Sequence, residues 1–247
     1  MSDVIVITGG SRGIGAACAI GLADPSRTII VNYVGNQFAA DEVVEAVIEK
    51  GGSAVAVQGD VGEEADILRM FEVADAQGSL VGLINNAGIV DEAARVDEFS
   101  AERISKMLNV NVLGSILCAR EAVKRMSTKH GGKGGAIVNL SSVAALLGAP
   151  NNYVDYAASK GAIDSFTKGL ALEVAAEDIR VNAVRPGIIA TDIHASGGQP
   201  DRVAEVRASL PMQREGSAEE VANSIIWLMS KEASYVTGAI LDVSGGR

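Results

Sequence analysis

The sequence predicts a single α/β domain, residues 1–247, built on a doubly wound parallel sheet of seven strands with helices on both faces. Two observations carry this reading. Seven short runs rich in β-branched residues are almost continuously apolar, the pattern of strands covered on both faces. Stretches of helical period separate them, and strands alternating with helices call for a parallel sheet with right-handed crossovers. The first strand is expected at 4–8, followed by a glycine turn and a helix at 13–23. Strands at 28–32 and 54–58 precede helices at 38–50 and 63–76. The fourth, at 81–85, precedes one long helix at 101–128; the fifth, at 136–141, precedes a helix at 156–176. A strand at 179–184, a long insert, a helix at 218–230 and a strand at 239–243 complete the order. The insert, 188–216, is too long for an ordinary connection and follows the carboxyl end of a strand, so it is expected to act as a substrate lid.

Composition narrows the function. The chain has 247 residues, 48% of them hydrophobic, enough for one large buried core, which excludes native disorder. Acidic residues outnumber basic ones by 31 to 21, for a net charge of −10. A nucleic-acid partner is disfavoured, since grip on a phosphate backbone comes mainly from clustered Lys and Arg. Anionic membranes and acidic carrier proteins are disfavoured for the same reason. Cys18 and Cys118 suggest neither a disulfide framework nor a zinc site, and no metal is expected. No targeting peptide and no stretch of about 18 apolar residues is visible, so the expected location is cytoplasmic.

The first strand runs into Thr8-Gly9-Gly10-Ser11-Arg12-Gly13-Ile14-Gly15. A strand, a glycine turn and a helix in that order offer unpaired backbone N–H groups and a helix N-terminus to an anion. Glycine lets a pyrophosphate approach the backbone. The spacing G-x-x-x-G-x-G differs from the general G-x-G-x-x-G fingerprint, and glycines needed only for helix–strand packing are the competing reading. The second strand ends Asn32-Tyr33-Val34, without the acid that bonds a ribose 2′-hydroxyl in NAD sites. Arg12 in the turn is suited to a 2′-phosphate. NADP (NADPH) is therefore favoured, NAD remains open, and a surface ion pair is the plainer role for Arg12.

Tyr156-Ala157-Ala158-Ser159-Lys160 opens a helix. Positions i and i+4 share a face, so phenol and ammonium point into one cleft. A fixed Lys cation favours the tyrosinate, which makes the pair a credible acid/base for a carbonyl/alcohol couple. Ser142 closes the fifth strand and could bond the same oxygen; neighbours on a strand face opposite sides, so only one of Ser141 and Ser142 can face the cleft.

Together, Thr8-Gly9-(x)3-Gly13-x-Gly15, Asn85-Asn86-Ala87-Gly88, Asn111, Ser142 and Tyr156-(x)3-Lys160 resemble the short-chain dehydrogenase/reductase family over essentially the whole chain. The likeness is to bacterial members similar to 3-oxoacyl reductases and sugar dehydrogenases, marked by Val154-Asp155-Tyr156-Ala157-Ala158-Ser159-Lys160 and the lid run Ile193-His194-Ala195-Ser196-Gly197-Gly198. The resemblance implies a Rossmann-type fold and a set of roles. Tyr156 is the acid/base, and Lys160 lowers its pKa and touches the nicotinamide ribose. Ser142 polarises the substrate oxygen, and Asn111 holds a water in a relay behind Lys160. Cofactor contacts fall on Gly9, Ser11, Arg12, Gly13, Ile14, Gly15, Asn32, Tyr33, Asp60, Val61, Asn86, Ala87, Gly88, Tyr156 and Lys160. Pro186, Gly187, Ile189 and Thr191 complete that set around the nicotinamide.

Other residues have plainer readings. Asp60 could instead cap a strand end. Tyr153 has no Lys at i+4 and is expected to line the substrate pocket, and Asn109 faces away from Asn111. Of the two histidines, His130 and His194, only His194 lies where it could reach the cleft, and a solvated lid residue is the expectation. Arg202, Arg207 and Arg214 are interleaved with Asp201, Glu205 and Glu215, the pattern of a mixed solvated face. Ala176-Glu177-Asp178 after the catalytic helix would repel an acidic carrier protein. The helices at 101–128 and 156–176 carry Leu113, Ile116, Ala162, Phe166 and Leu170, which points either to burial on two sides or, as the resemblance implies, to a homotetramer with 222 symmetry. The expected activity is NADP(H)-dependent interconversion of a small-molecule carbonyl and its alcohol; the alternative is a catalytically idle dinucleotide sensor.

Overall fold

Side chains on a strand alternate between its two faces, so a run that is apolar at every position needs a hydrophobic layer on each side. The computed structural model, which describes residues 2–193, 197–199 and 201–247, supplies both layers. Strands β1 (Ser2–Ile7), β2 (Arg27–Tyr33), β3 (Ser53–Gln58), β4 (Gly78–Asn85), β5 (Gly135–Leu140), β6 (Ile179–Pro186) and β7 (Ile240–Val243) form one sheet in the order β3-β2-β1-β4-β5-β6-β7. All six pairings are parallel. Val4 and Val6 of β1 pack with Phe71, Met70, Cys118 and Val174 on one face, while Ile5 and Ile7 pack with Cys18, Val43 and Ile225 on the other. Single-domain α/β architecture and the seven-stranded parallel sheet agree with the pattern read from the sequence.

The first face is covered by α3 (Glu64–Gln77), α5 (Ser115–Met126) and α7 (Val154–Val174), and the second by α1 (Gly13–Gly21), α2 (Gln37–Glu49) and α9 (Ala218–Met229). Among the described residues, three α-helix N-termini carry side-chain caps. Asn36 accepts from Ala39 N, Ser100 from Arg103 N, and Ser217 from Glu220 N in a reciprocal box. Helix α1 has no side-chain cap and no acid in its first turn. Its bare N-terminus opens where the strand order reverses between β1 and β4, the crevice where ligands bind in open α/β sheets.

Three segments differ from the sequence reading. The helix expected at 101–128 is α4 (Ala101–Leu108), a π-helical turn (Asn109–Gly114) and α5. That turn is wide where Asn111 is buried, and Gly114 permits it, because a Cβ there would lie 2.5 Å from the Val61 carbonyl oxygen. Such turns occur most often at functional sites. A four-residue helix α6 (Ala144–Leu147) follows β5, and α8 (Arg202–Val206) lies inside the 188–216 insert. Two hydrogen bonds close the insert at its base, Ala190 N to the Gly216 oxygen and Gly216 N to the Ile188 oxygen, both 2.9 Å. His194, Ala195 and Ser196 lie outside the described residues.

Candidate active site

The glycine turn is held from two sides. Thr8 Oγ1 accepts from Asn86 N and Ala87 N, each at 3.0 Å, and Asn86 Nδ2 donates to the Thr8 and Gly9 oxygens at 2.9 and 2.8 Å. From β2, Asn32 Oδ1 accepts from Gly9 N at 3.1 Å, and its Nδ2 donates to the Gly59 oxygen at 2.8 Å. The Asn32 amide is thus committed to shaping the cradle, and Tyr33 is buried in the core. Gly9 has φ +61°, and a Cβ on Gly15 would lie 2.4 Å from the Gly9 oxygen, so these positions admit no side chain. Ser11 and Arg12 lie in the turn ahead of α1. Arg12 is largely exposed, with its guanidinium 3.9 Å from an Asp192 oxygen. Asp60 accepts from Gly62 N at 2.8 Å in a turn-capping contact, and Val61 is buried against Gly114.

Helix α7 is held by buried polar groups, of which Asn139, Thr167 and Arg103 had no signal in the sequence. Asn85 Nδ2 donates to Asn139 Oδ1 at 2.9 Å, and Asn139 Nδ2 donates to Thr167 Oγ1 at 2.9 Å, a relay from β4 through β5 to α7. Ser141 is buried and donates to the Lys160 carbonyl at 3.2 Å. Asp155 accepts from Tyr156 N at 2.9 Å and pairs with Arg103 Nε at 2.8 Å, with both side chains largely buried. Asn111 holds the chain at Ile89 in both directions, receiving from Ile89 N at 2.8 Å and donating to its oxygen at 2.9 Å. Its Nδ2 also lies 3.2 Å from Ser159 Oγ.

These supports converge on a cavity of about 340 Å³. Ser142, Tyr156, Lys160, Ile14, Asn86, Gly88, Pro186, Gly187, Ile189 and Thr191 of the sequence-derived set line it, with Tyr153 beside them. Lys160 Nζ donates to the Leu140 oxygen at 2.7 Å and sits 5.6 Å from the centre of the Tyr156 ring. A Cβ on Gly88 would lie 3.4 Å from Asn111 Oδ1 and 3.5 Å from Lys160 Nζ, so both groups border one small space. Ser142 Oγ, whose hydroxyl accepts from Ala144 N at 3.1 Å, also opposes the rise of the Tyr156 pKa. Tyr153 donates to Gln199 Oε1 at 2.6 Å, tying the pocket wall to the insert. Asn109 and His130 are exposed on the surface.

The electrostatics differ from the expectation that Lys160 lowers the tyrosine pKa. Burial pushes the Tyr156 phenol up to about 12, and the contribution in the other direction comes from Ser142. Burial pushes the Lys160 ammonium down to about 8, against the field of Asp164 one turn along α7. Asp164 is itself held by Arg185 at 2.8 Å. The phenol is thus a protonated group at neutral pH, and the ammonium titrates close to it.

The sequence is similar to proteins of one kind throughout. A family model described as enoyl-(acyl carrier protein) reductase matches residues 9–247. The chain is 54% identical over 245 residues to the uncharacterised oxidoreductase YgfF of Escherichia coli K12, covering 99% of each. It is 39% identical over 242 residues to glucose 1-dehydrogenase 2 of Bacillus subtilis 168, covering 98% of this chain and 93% of the other. A crystal structure of 3-oxoacyl-[acyl-carrier protein] reductase from Brucella melitensis superposes with a TM-score of 0.88 at 35% identity, covering 99% and 90%. With its doubly wound sheet and its motifs in order along nearly the full length, the chain belongs to the short-chain dehydrogenase/reductase family of oxidoreductases.

Proposed function

We propose that this oxidoreductase interconverts a small carbonyl compound and its alcohol using NADP(H). One observation carries the reading: Ser142, Tyr156 and Lys160 line a single cavity that reaches Ile14 in the uncapped first turn of α1. The residues suit a dinucleotide. The glycine turn exposes backbone where no Cβ fits, and the bare helix N-terminus has donors with no side-chain partner. Gly9, Ser11, Gly13, Ile14 and Gly15 would hold the pyrophosphate. Asn86, Ala87, Gly88, Pro186, Gly187, Ile189 and Thr191 would line the nicotinamide half, and Asp60 and Val61 the adenine. Arg12, exposed beside a strand end without an acid, would meet a 2′-phosphate. When bound, the dinucleotide supplies or accepts the hydride.

The chain's own residues manage the proton. In reduction, Tyr156 donates its proton to the carbonyl oxygen while the Ser142 hydroxyl bonds the same oxygen. Lys160, held by Leu140, uses one of its donors on the backbone and keeps the others for the ribose and for the tyrosinate that forms. Asn111 and Lys160 border the space at Gly88, where a water returns a proton from solvent. The 188–216 insert would cover substrate as a lid, its Gln199 tied to the pocket wall by Tyr153. Leu108 on α4, Leu113 in the π-helical turn, Ile116 on α5 and Leu172 on α7 are exposed, the faces through which we expect a 222 homotetramer to form. The carrier-protein substrates named for the similar proteins suit this chain less well, given its net −10 and Glu177-Asp178.

Tyr156→Phe tests the reading. The variant should lose about 100-fold or more in kcat while binding NADPH as the parent does. Retained turnover, or a parent that turns over no carbonyl or alcohol compound, would overturn it in favour of a binding module.

A further inference from the structure

The cavity is wider than proton transfer requires, and its remaining wall has an unusual charge. Val143, Leu147, Pro150, Ile188 and Ile193 make much of it apolar. Three cations also line it, Lys160, Arg202 and Arg247, and none of the described lining residues is Asp or Glu. This occurs in a chain whose acids outnumber its bases by 31 to 21.

The other arginines of the insert show what ordinary surface placement looks like here. Arg207 makes two bonds of 2.7 Å to the Glu215 carboxylate, and Arg214 bonds both carboxylate oxygens of Glu220 at 2.8 and 2.7 Å. Those two satisfy the expectation of a mixed, neutralised face. Arg202, half-buried at the start of α8, and Arg247, exposed beyond β7, have no ion pair with any described residue. Both line the same cavity as Tyr153; burial and then the field of Arg202 lower the Arg247 pKa, and burial raises that of the Tyr153 phenol while Arg202 opposes it. Two like charges share one wall that carries no acidic side chain among its described residues, an arrangement that an anion between them would relieve. Guanidinium forks match a carboxylate or phosphate through paired, charge-assisted hydrogen bonds.

We propose that Arg202 and Arg247 form the anion-recognition end of the substrate site. The substrate class is an aliphatic oxo acid, or its hydroxy acid, whose anionic group stands a short apolar chain away from the reacting carbon. The apolar wall takes the chain, the arginine pair takes the anion, and Tyr156 and Ser142 take the carbonyl oxygen. This assignment rests on the carbonyl/alcohol reading above, and its test separates the two.

Binding of 4-oxopentanoate, 5-oxohexanoate and 6-oxoheptanoate to the NADPH-saturated protein is compared with binding of their primary amides. The ω-phosphate of 5-oxohexan-1-ol distinguishes phosphate from carboxylate. At least one anion should bind about tenfold or more tightly than its neutral counterpart. The double variant Arg202→Gln/Arg247→Gln should abolish that ratio while leaving NADPH affinity and amide binding unchanged. Lys133→Gln, which removes a charge far from the cavity, should retain it. Equal binding of acids and amides, a preference that survives the double variant, or no binding at all would overturn the proposal. Turnover of acid and amide alike would overturn it while leaving the carbonyl/alcohol reading intact. Selective anion binding without turnover would support the arginine site and contradict the proposed reaction.

Discussion

Lys160 shows most plainly how single residues set the chemistry. Its folded-state pKa lies near 8, below the ordinary 10.5, because burial disfavours the ammonium. The cation is therefore present below pH 8 and lost as pH rises through that value, while the Tyr156 phenol, up at about 12, stays protonated. For carbonyl reduction, kcat/KM should be level below pH 8 and fall on its alkaline side, with the limb assigned to Lys160 in the free enzyme. Lys160→Arg, which keeps the charge, should move the limb to higher pH; a limb unchanged in the variant would give the titration to another group. The Tyr156–Lys160 pair was legible because i and i+4 share a helix face whatever the tertiary structure. The direction of the tyrosine shift was not, because it depends on depth of burial, which spacing does not encode. Arg202 was hidden for a related reason: in the chain it looks like Arg207 and Arg214, and the difference lies in which side chains reach a carboxylate in space.

At the level of elements, α7 is positioned by polar groups as well as by its buried apolar face. The Asn85–Asn139–Thr167 relay joins two strands to that helix within the core. Removing one member leaves buried groups without partners, which costs about 1–3 kcal/mol. Asn139→Ala should therefore lower the unfolding free energy by that amount, read as a lower denaturant midpoint with an unchanged m-value. An unaltered midpoint would show that the relay holds nothing. Such pairs escape sequence reading because they need the adjacency and register of β4 with β5. The π-helical turn escaped for another reason: Asn109-Val110-Asn111-Val112-Leu113-Gly114 continues a helical pattern, and only the packing of Gly114 on Val61 shows where the helix widens. The strands were legible because burial on both faces writes itself as an unbroken apolar run. The four-residue α6 and five-residue α8 are too short to leave a period.

For the whole molecule, the organising feature is a chain of net charge −10 surrounding a cavity lined by cations. Apolar side chains stay exposed on α4, α5, α7 and α9, Leu172 at 84% and Trp227 at 43%, surface that the proposed tetramer would cover. Sedimentation equilibrium should give a tetramer mass, and a monomer at micromolar concentration would contradict the assembly. Hydride transfer beside Tyr156 requires a nicotinamide dinucleotide in the glycine turn, and the proposed role of Arg12 requires that it bear a 2′-phosphate. Calorimetric titration with NADPH and NADH separately tests both requirements most directly. NADPH should bind tighter by about tenfold or more, a difference of about 1.4 kcal/mol. Tighter NADH binding would contradict the role of Arg12, and binding of neither would contradict the cradle itself.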